Sequence, residues 1–417
     1  MKFYEKSVLE NGIRVITQEL NYTKTISLGI WVNVGSRDEN KAINGISHFI
    51  EHCVFKGTKN KSNFEISSSL EKLGGYLNAF TTKEHTCFYA RTLSEHFSKA
   101  FKVLSELVLT PQFPPNEIEK ERLVILEEIS SMNDTPDDVI FDLVEKELFG
   151  EHPLGLPVTG DSENIMRFNS NFALKFMREN YSADKIIVNV VGPVKHNDSV
   201  GLTRKYLGGL KQLYSNNVRK TPSLKNRPVI KEIVKDISQV HICIARKTFG
   251  FKDKRRTELA LLNTLLGGMS SSRLFYKIRE QKGIAYNIFS FLNNYFDASV
   301  FGVYLSTTRK NRQRVIDLIQ NEFKKISKNS ITRTELERAK SFLKGTISMS
   351  MENPSMRATH VAIGEFYQNK ANSIDEILEI IDKIQIDDFQ SVAEEILSWE
   401  DYTIYQIIPE SGGNNGN

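Results

Sequence analysis

Apolar positions along this chain follow two rhythms. Runs of β-branched and aromatic residues of strand length lie at 13–17, 26–34, 76–81, 86–92 and 185–192. Between them the apolar spacing changes to three and four. That predicts helices over 43–56, 64–73 and 94–109, with Ser94 as N-cap, and a longer helix starting behind Asn116. Gly74-Gly75 and the run Pro111-Gln112-Phe113-Pro114-Pro115 punctuate the series. The second half repeats the order. It reads as a strand at 240–247, helices at 258–266 and 274–280, strands at 288–292 and 298–306, helices at 312–326 and from 334, and a closing strand at 402–408.

The repeat is visible in residues too. LEKLGGYLNAF (70–80) returns as KIREQKGIAYNIF (277–289), and NEIEKERLVILEEIS (116–130) returns as RTELERAKSFLKGTIS (333–348). The expected fold is therefore α+β: two homologous domains, each a mostly antiparallel sheet with helices packed on one face. The expected division is 1–212, a polar linker 213–228, a second domain 229–409, and a frayed tail 410–417.

Composition narrows the class. Of 417 residues, 40% are apolar and 25% charged, as in ordinary globular proteins. The formal charge of +4 over this length is no nucleic-acid signature. The three cysteines, Cys53, Cys87 and Cys243, form no CxxC pair, which suits a reducing compartment. The first twenty residues have no apolar secretory core, and no run of 18 apolar residues exists. The expectation is a soluble, cytoplasmic protein without a membrane span.

One five-residue stretch carries chemistry: His48-Phe49-Ile50-Glu51-His52. Histidines at i and i+4 share a helix face and can aim both imidazoles at one ion. Glu51 stands beside them as a base for water. This H-x-x-E-H order is the inverted form of the zincin motif. A hydrolytic zinc site takes three protein ligands and keeps one position open. On the helix behind Asn116, which begins with a capping-box-like Asn116 and Glu119, Ile118, Ile125, Ile129 and Met132 share one face. Glu121 and Glu128 border that stripe, whereas Glu127 lies opposite. If buried there, two carboxylates need a cation or metal beside them; the alternative is that the helix is only partly buried and both glutamates reach water.

These residues resemble the inverted-zincin metallopeptidases, the family of pitrilysin, insulin-degrading enzyme and mitochondrial processing peptidase. GISHFIEHCVFKGT, LGGYLNAFTTKEHT, HPLGLPVTGDSENI and LLGGMSSSRLFYKIREQKGIAY all match its text, over about residues 5–408. The family's third ligand is a glutamate 76 residues beyond the second histidine, which selects Glu128 (128 − 52 = 76). A supporting glutamate stands seven earlier, at Glu121. The nearest likeness is to bacterial single-gene relatives of the processing peptidase β subunit. The resemblance implies a half-clamshell that pairs into a homodimer, one zinc per chain on His48, His52 and Glu128, and Glu51 as catalytic base. It also implies substrate contacts from Arg279 and Tyr286, seven residues apart in the second half, acting across the dimer in composite sites.

The second half carries no such motif. Thr346 and Ala339 stand where Glu128 and Glu121 stand in the first. Residues 76–80 should be an edge strand, with Asn78, Ala79 and Phe80 receiving a peptide as an added strand. On its own, Tyr286 reads as a core aromatic, Arg279 as a solvated helix residue and His85 as a surface residue. Cys53 reads as a small core residue. The implied activity is zinc-dependent endopeptidase action on short or unfolded peptides. The alternatives are a catalytic subunit that needs a different partner chain, and a non-catalytic core subunit of the same fold.

Overall fold

The computed structural model describes residues 3–213, 218–328 and 331–410. Most of the tail and residues 214–217 of the expected linker lie outside the described residues. The strands are β1 (Glu5–Val8), β2 (Arg14–Glu19), β3 (Thr25–Val32), β4 (Tyr76–Thr81), β5 (Thr86–Leu93), β6 (Ile186–Gly192), β7 (Ile230–Lys235), β8 (Val240–Thr248), β9 (Ala285–Asn294), β10 (Ser299–Thr307) and β11 (Thr403–Pro409). They form two sheets. The first runs β1-β2-β6-β3-β5-β4, the second β7-β11-β8-β10-β9. In each, one neighbouring pair is parallel, β2 with β6 and β11 with β7, and the other neighbours are antiparallel. Apart from the added edge β1, the two topologies are the same, as duplication of one domain requires.

The first five helices are α1 (Ile46–Cys53), α2 (Asn63–Glu71), α3 (Phe97–Leu109), α4 (Pro115–Asp134) and α5 (Pro136–Phe149). Two expected helix starts move. Ser94 opens a 3-10 turn, Ser94–His96, ahead of α3, instead of capping α3 itself. Pro115 takes the first turn of α4, where its missing N–H costs nothing. Glu119 therefore pairs with Arg122 at 3.0 Å instead of closing a capping box. Residues Phe275–Glu280, read as an ordinary helix, wind as a π-helix.

Two compact units result, and neither is continuous in sequence. The first comprises Met1–Ser130, Leu156–Lys220 and Met349–Ser373; the second comprises Ser131–Gly155, Thr221–Ser348 and Ile374–Asn417. Each sheet thus receives one helix from a segment distant along the chain. In the first unit, strand alternation divides residues between two cores. Val15, Ile26, Leu28, Ile30, Ile186, Val188 and Val190 join the main core with α1 and α3. Ile16, Trp31, Cys87 and Ile187 point the other way and meet Val361 and Ala362 of the helix Pro354–Gln368. With both faces covered, β6 is buried at every residue, which explains its unbroken apolar run. Asn189, the polar exception, donates to the Ala358 carbonyl at 2.6 Å. Buried Glu365 anchors the helix further, accepting from Tyr4 Oη and Lys6 Nζ, both at 2.6 Å.

In the second unit, α5 plays the corresponding part. Val139, Ile140 and Val144 pack on Cys243, Ala245, Val300 and Tyr304. The opposite face of the same strands, including Ile242, Ile244, Phe301 and Val303, forms the larger core. Among the described residues, no helix is long and apolar enough to cross a membrane.

Candidate metal centre

The centre is built on α1, a helix of only eight residues. Its entry is fixed by backbone, because Gly45 sits at φ 98°, which strains any residue with a Cβ. A Cβ there would also stand 2.8 Å from Gly160 Cα, so two glycines allow the 157–161 segment to press on the helix start. Buried Glu39 accepts from the Gly45 and Ser47 amides at 2.7 and 2.8 Å and from Asn44 Nδ2 at 3.0 Å. Asn44 also donates to the Pro157 carbonyl at 2.9 Å.

His48 and His52 then project from one face, with Nε2 atoms 3.2 Å apart. Opposite them, α4 presents Glu128, 3.7 Å from His48 Nε2 and 3.3 Å from His52 Nε2. The three ligand atoms lie within 4.8 Å of one another, the one such group among the described residues. Ligands 2.0–2.1 Å from a tetrahedral zinc stand about 3.3 Å apart, close to these separations. Two imidazoles and one carboxylate are also the donor set of open hydrolytic sites.

The sequence pattern of α4 holds in three dimensions. Ile118, Ile125 and Ile129 are buried, Met132 is half-buried, Glu121 is buried, Glu128 is half-buried and Glu127 is exposed. Glu121 Oε1 meets His52 Nδ1 at 2.9 Å. A carboxylate there puts the proton on Nδ1 and leaves the Nε2 lone pair facing Glu128. Burial pulls the His52 pKa down, but Glu121 and Glu128 outweigh it and the net shift is upward. Burial and neighbouring His52 push His48 down to about 4, against the Thr159 carbonyl. Facing nitrogens at 3.2 Å cannot both carry hydrogen, so at most one of the two Nε2 atoms is protonated at a time.

Glu51 leaves α1 on the side of β4. Burial raises its pKa, opposed chiefly by a hydrogen bond from Thr81, the last residue of β4. A carboxylate raised toward neutrality makes an effective base. β4 is an edge strand, and its exposed Asn78 folds its carboxamide back to accept from the Ala79 amide at 2.8 Å. Phe80 packs edge-on against Trp31 at 5.4 Å.

Arg279 and Tyr286 belong to the second unit. Arg279 is exposed and lies over the Phe275 ring at 4.8 Å. Tyr286 is 74% exposed on the edge strand β9, so it is not the core aromatic that its own neighbourhood suggested. Ala339 is buried on the helix Arg333–Ser350, the counterpart of α4, which carries Ala339 and Thr346 where α4 carries Glu121 and Glu128. His85 is not a surface residue either. It is buried and stacked on Phe366 at 4.7 Å, and burial holds it neutral. Cys53 is a core residue, with burial pushing its thiol up to about 12.

Sequence reasoning missed Glu39, whose role depends on the fold of the loop, and Lys56, which pairs with Glu121 at 2.5 Å. The signal for Lys56 was available in its spacing, four residues beyond His52.

The family described as Insulinase (Peptidase family M16) matches residues 14–162, and the description Peptidase M16 inactive domain matches 167–343. The chain belongs to peptidase family M16. An uncharacterized zinc protease of Bacillus subtilis is 32% identical over 400 residues, covering 96% of this chain and 97% of that protein. One of Mycobacterium leprae is 32% identical over 396 residues, covering 94% and 89%. A protease structure from Helicobacter pylori superposes with a TM-score of 0.89 at 24% identity, covering 97% of this chain and 99% of that one. A structure from Pseudomonas fluorescens, described as a peptidase M16 inactive domain, reaches a TM-score of 0.91 at 20% identity, covering 98% of both chains. At those identities the structural likeness speaks for the fold.

Glu39 offers a pH test of the M16 scaffold. Burial raises its pKa from 4.5 to about 7, despite the hydrogen bonds it accepts from Ser47, Gly45 and Asn44. The folded state therefore binds this proton more tightly than the unfolded one. Its contribution is full below pH 4.5 and is lost as pH rises through 7. Across that window the wild type should lose on the order of 3 kcal/mol relative to Glu39→Gln. Denaturant titrations of both proteins at pH 5 and pH 8 measure the gap. A gap independent of pH would contradict the shifted carboxyl.

Proposed function

We propose that this chain is a zinc-dependent endopeptidase that hydrolyses short or unfolded peptides. The observation that carries the reading is the cluster of His48, His52 and Glu128 ligand atoms within 4.8 Å, with Glu51 alongside. The names of the zinc proteases to which the chain is similar support it. In this reading those three residues hold one zinc per chain and Glu121 orients His52. When bound, zinc supplies a Lewis acid that polarises a carbonyl and acidifies water. Glu51 accepts a proton from the attacking water and returns it to the leaving amine. A peptide lies along β4 at Asn78, Ala79 and Phe80, bound through main-chain hydrogen bonds that tolerate many sequences. Thr81, at the end of that strand, holds Glu51 near the added peptide.

The protein should contain about one zinc per chain by elemental analysis. It should cleave members of a peptide library read by mass spectrometry, stop when zinc is chelated, and recover when zinc returns. A folded chain that takes up no zinc would overturn the reading.

We further infer a cytoplasmic homodimer in which Arg279 and Tyr286 of one chain serve the zinc of the other. Self-pairing about a two-fold axis is the commonest soluble assembly, and the exposure of Tyr286 suits contact with substrate. Glu51→Gln and Tyr286→Phe should each be impaired alone. Mixed dimers then have one site with both lesions and one with neither. Random exchange should restore up to about a quarter of wild-type activity per site, because half the dimers are mixed. Verified exchange without rescue would place the tyrosine in its own chain's reaction or outside the reaction. A fully active monomer would sink the shared-site idea.

A further inference from the structure

The stripe that carries the two histidines does not end with them. The 3-10 turn Val54–Lys56 continues α1, so residues 48, 52 and 56 follow one another at steps of four along the same line. On α4, Glu128 and Glu121 stand seven residues apart, two turns along one face. The two rows mesh. Glu128 lies between His48 and His52, at 3.7 and 3.3 Å. Glu121, one step further, lies between His52 and Lys56, with Oε1 2.9 Å from Nδ1 and Oε2 2.5 Å from Nζ.

Both oxygens of Glu121 are thus engaged, each by a different neighbour. Its side chain is only 10% exposed, and that of Lys56 is 21% exposed. A carboxylate this enclosed needs a cation beside it, and a pair so enclosed is costly to break from one side. The next cation along α4 does not serve. Arg122 is turned to the carbonyls of Ile165 and Phe168 and to Glu119. If the Lys56 ammonium is removed, Oε2 loses its partner and the carboxylate is free to rotate away from His52.

We propose that Lys56 is a positioning residue for the zinc ligand His52. By holding Oε2 of Glu121 it keeps Oε1 on Nδ1, and so keeps Nε2 of His52 turned toward Glu128 and His48. Lys56 touches neither substrate nor metal in this role. The inference rests on the zinc reading above, and it adds to the centre a residue that acts two contacts away.

The test measures zinc affinity of the full chain by competition with a chelating dye, together with melting of the zinc-free protein. Lys56→Met should bind zinc about 10–100-fold more weakly, the usual effect of removing support from a metal ligand. Lys56→Arg, which keeps the charge, should recover most of that loss. Glu121→Gln should lose a similar factor, and the Lys56→Met/Glu121→Gln double variant should be no weaker than Glu121→Gln alone. That non-additivity is the mark of a residue acting through Glu121. If Lys56→Met does not fold, Lys56→Gln takes its place with the same expected direction. The inference is overturned if the neutral variant binds zinc like wild type and only melts lower, or if the two single losses add in the double variant. A wild type without zinc affinity overturns the zinc reading itself, and this inference with it.

Discussion

Glu51→Gln should retain zinc and lose hydrolysis by about 10²–10⁴-fold, the usual worth of a positioned general base. The substitution is nearly isosteric, so α1 and the histidines on either side of residue 51 keep their places. What changes is the capacity to accept a proton. Burial raises the Glu51 carboxyl, and Thr81 limits that rise by hydrogen bonding to it. Both effects suit a group that must take a proton and give it back within one turnover. An amide at this position can still accept a hydrogen bond from Thr81, but it cannot carry the proton to the leaving amine. Zinc content and peptide hydrolysis should therefore separate cleanly in this variant. Retention of most activity with normal zinc content would remove Glu51 from the base role. Loss of both would mean that residue 51 supports the metal.

What was legible in the sequence follows from how local each contact is. His48, Glu51 and His52 sit within two helical turns, so spacing alone brings them together. Glu121 and Glu128 could be recognised as carboxylates bordering an apolar stripe, and in the structure they face His52 from there. The edge position of β4 was expected on the family resemblance, not on any local pattern, and is observed. Contacts between distant segments left no local mark. Nothing in the helix Pro354–Gln368 states that its Val361 and Ala362 will cover Trp31 and Ile187. Nothing near His85 states that Phe366 will bury it. The same ignorance misplaced Tyr286, because alternation gives two faces but does not say which one a neighbour covers. Duplication was legible because it acts on whole stretches of sequence. The exchange of one helix between the two repeats was not, because it preserves every local pattern.

The second large effect concerns two adjacent glutamates. Glu128→Gln should weaken zinc binding by more than the roughly 10–100-fold expected of a supporting residue. Glu127→Gln should leave it unchanged, with stability within about 0.5 kcal/mol. Successive residues on α4 point about 100° apart, so only one of the two can face α1. Glu127 is exposed, while Glu128 reaches both histidines at 3.7 and 3.3 Å. A glutamine at 128 still offers an oxygen but no charge, and the positive ion would then be met by two neutral imidazoles and a neutral amide. The charge of the ligand, not its shape, is what the substitution removes. Affinity measured at fixed pH on zinc-stripped protein reads that loss directly, and His52→Ala should lose at least as much. If Glu127 instead proved essential and Glu128 dispensable, the carboxylate ligand would have been assigned one residue out of place. The helix would then have to turn by about 100° on binding the ion.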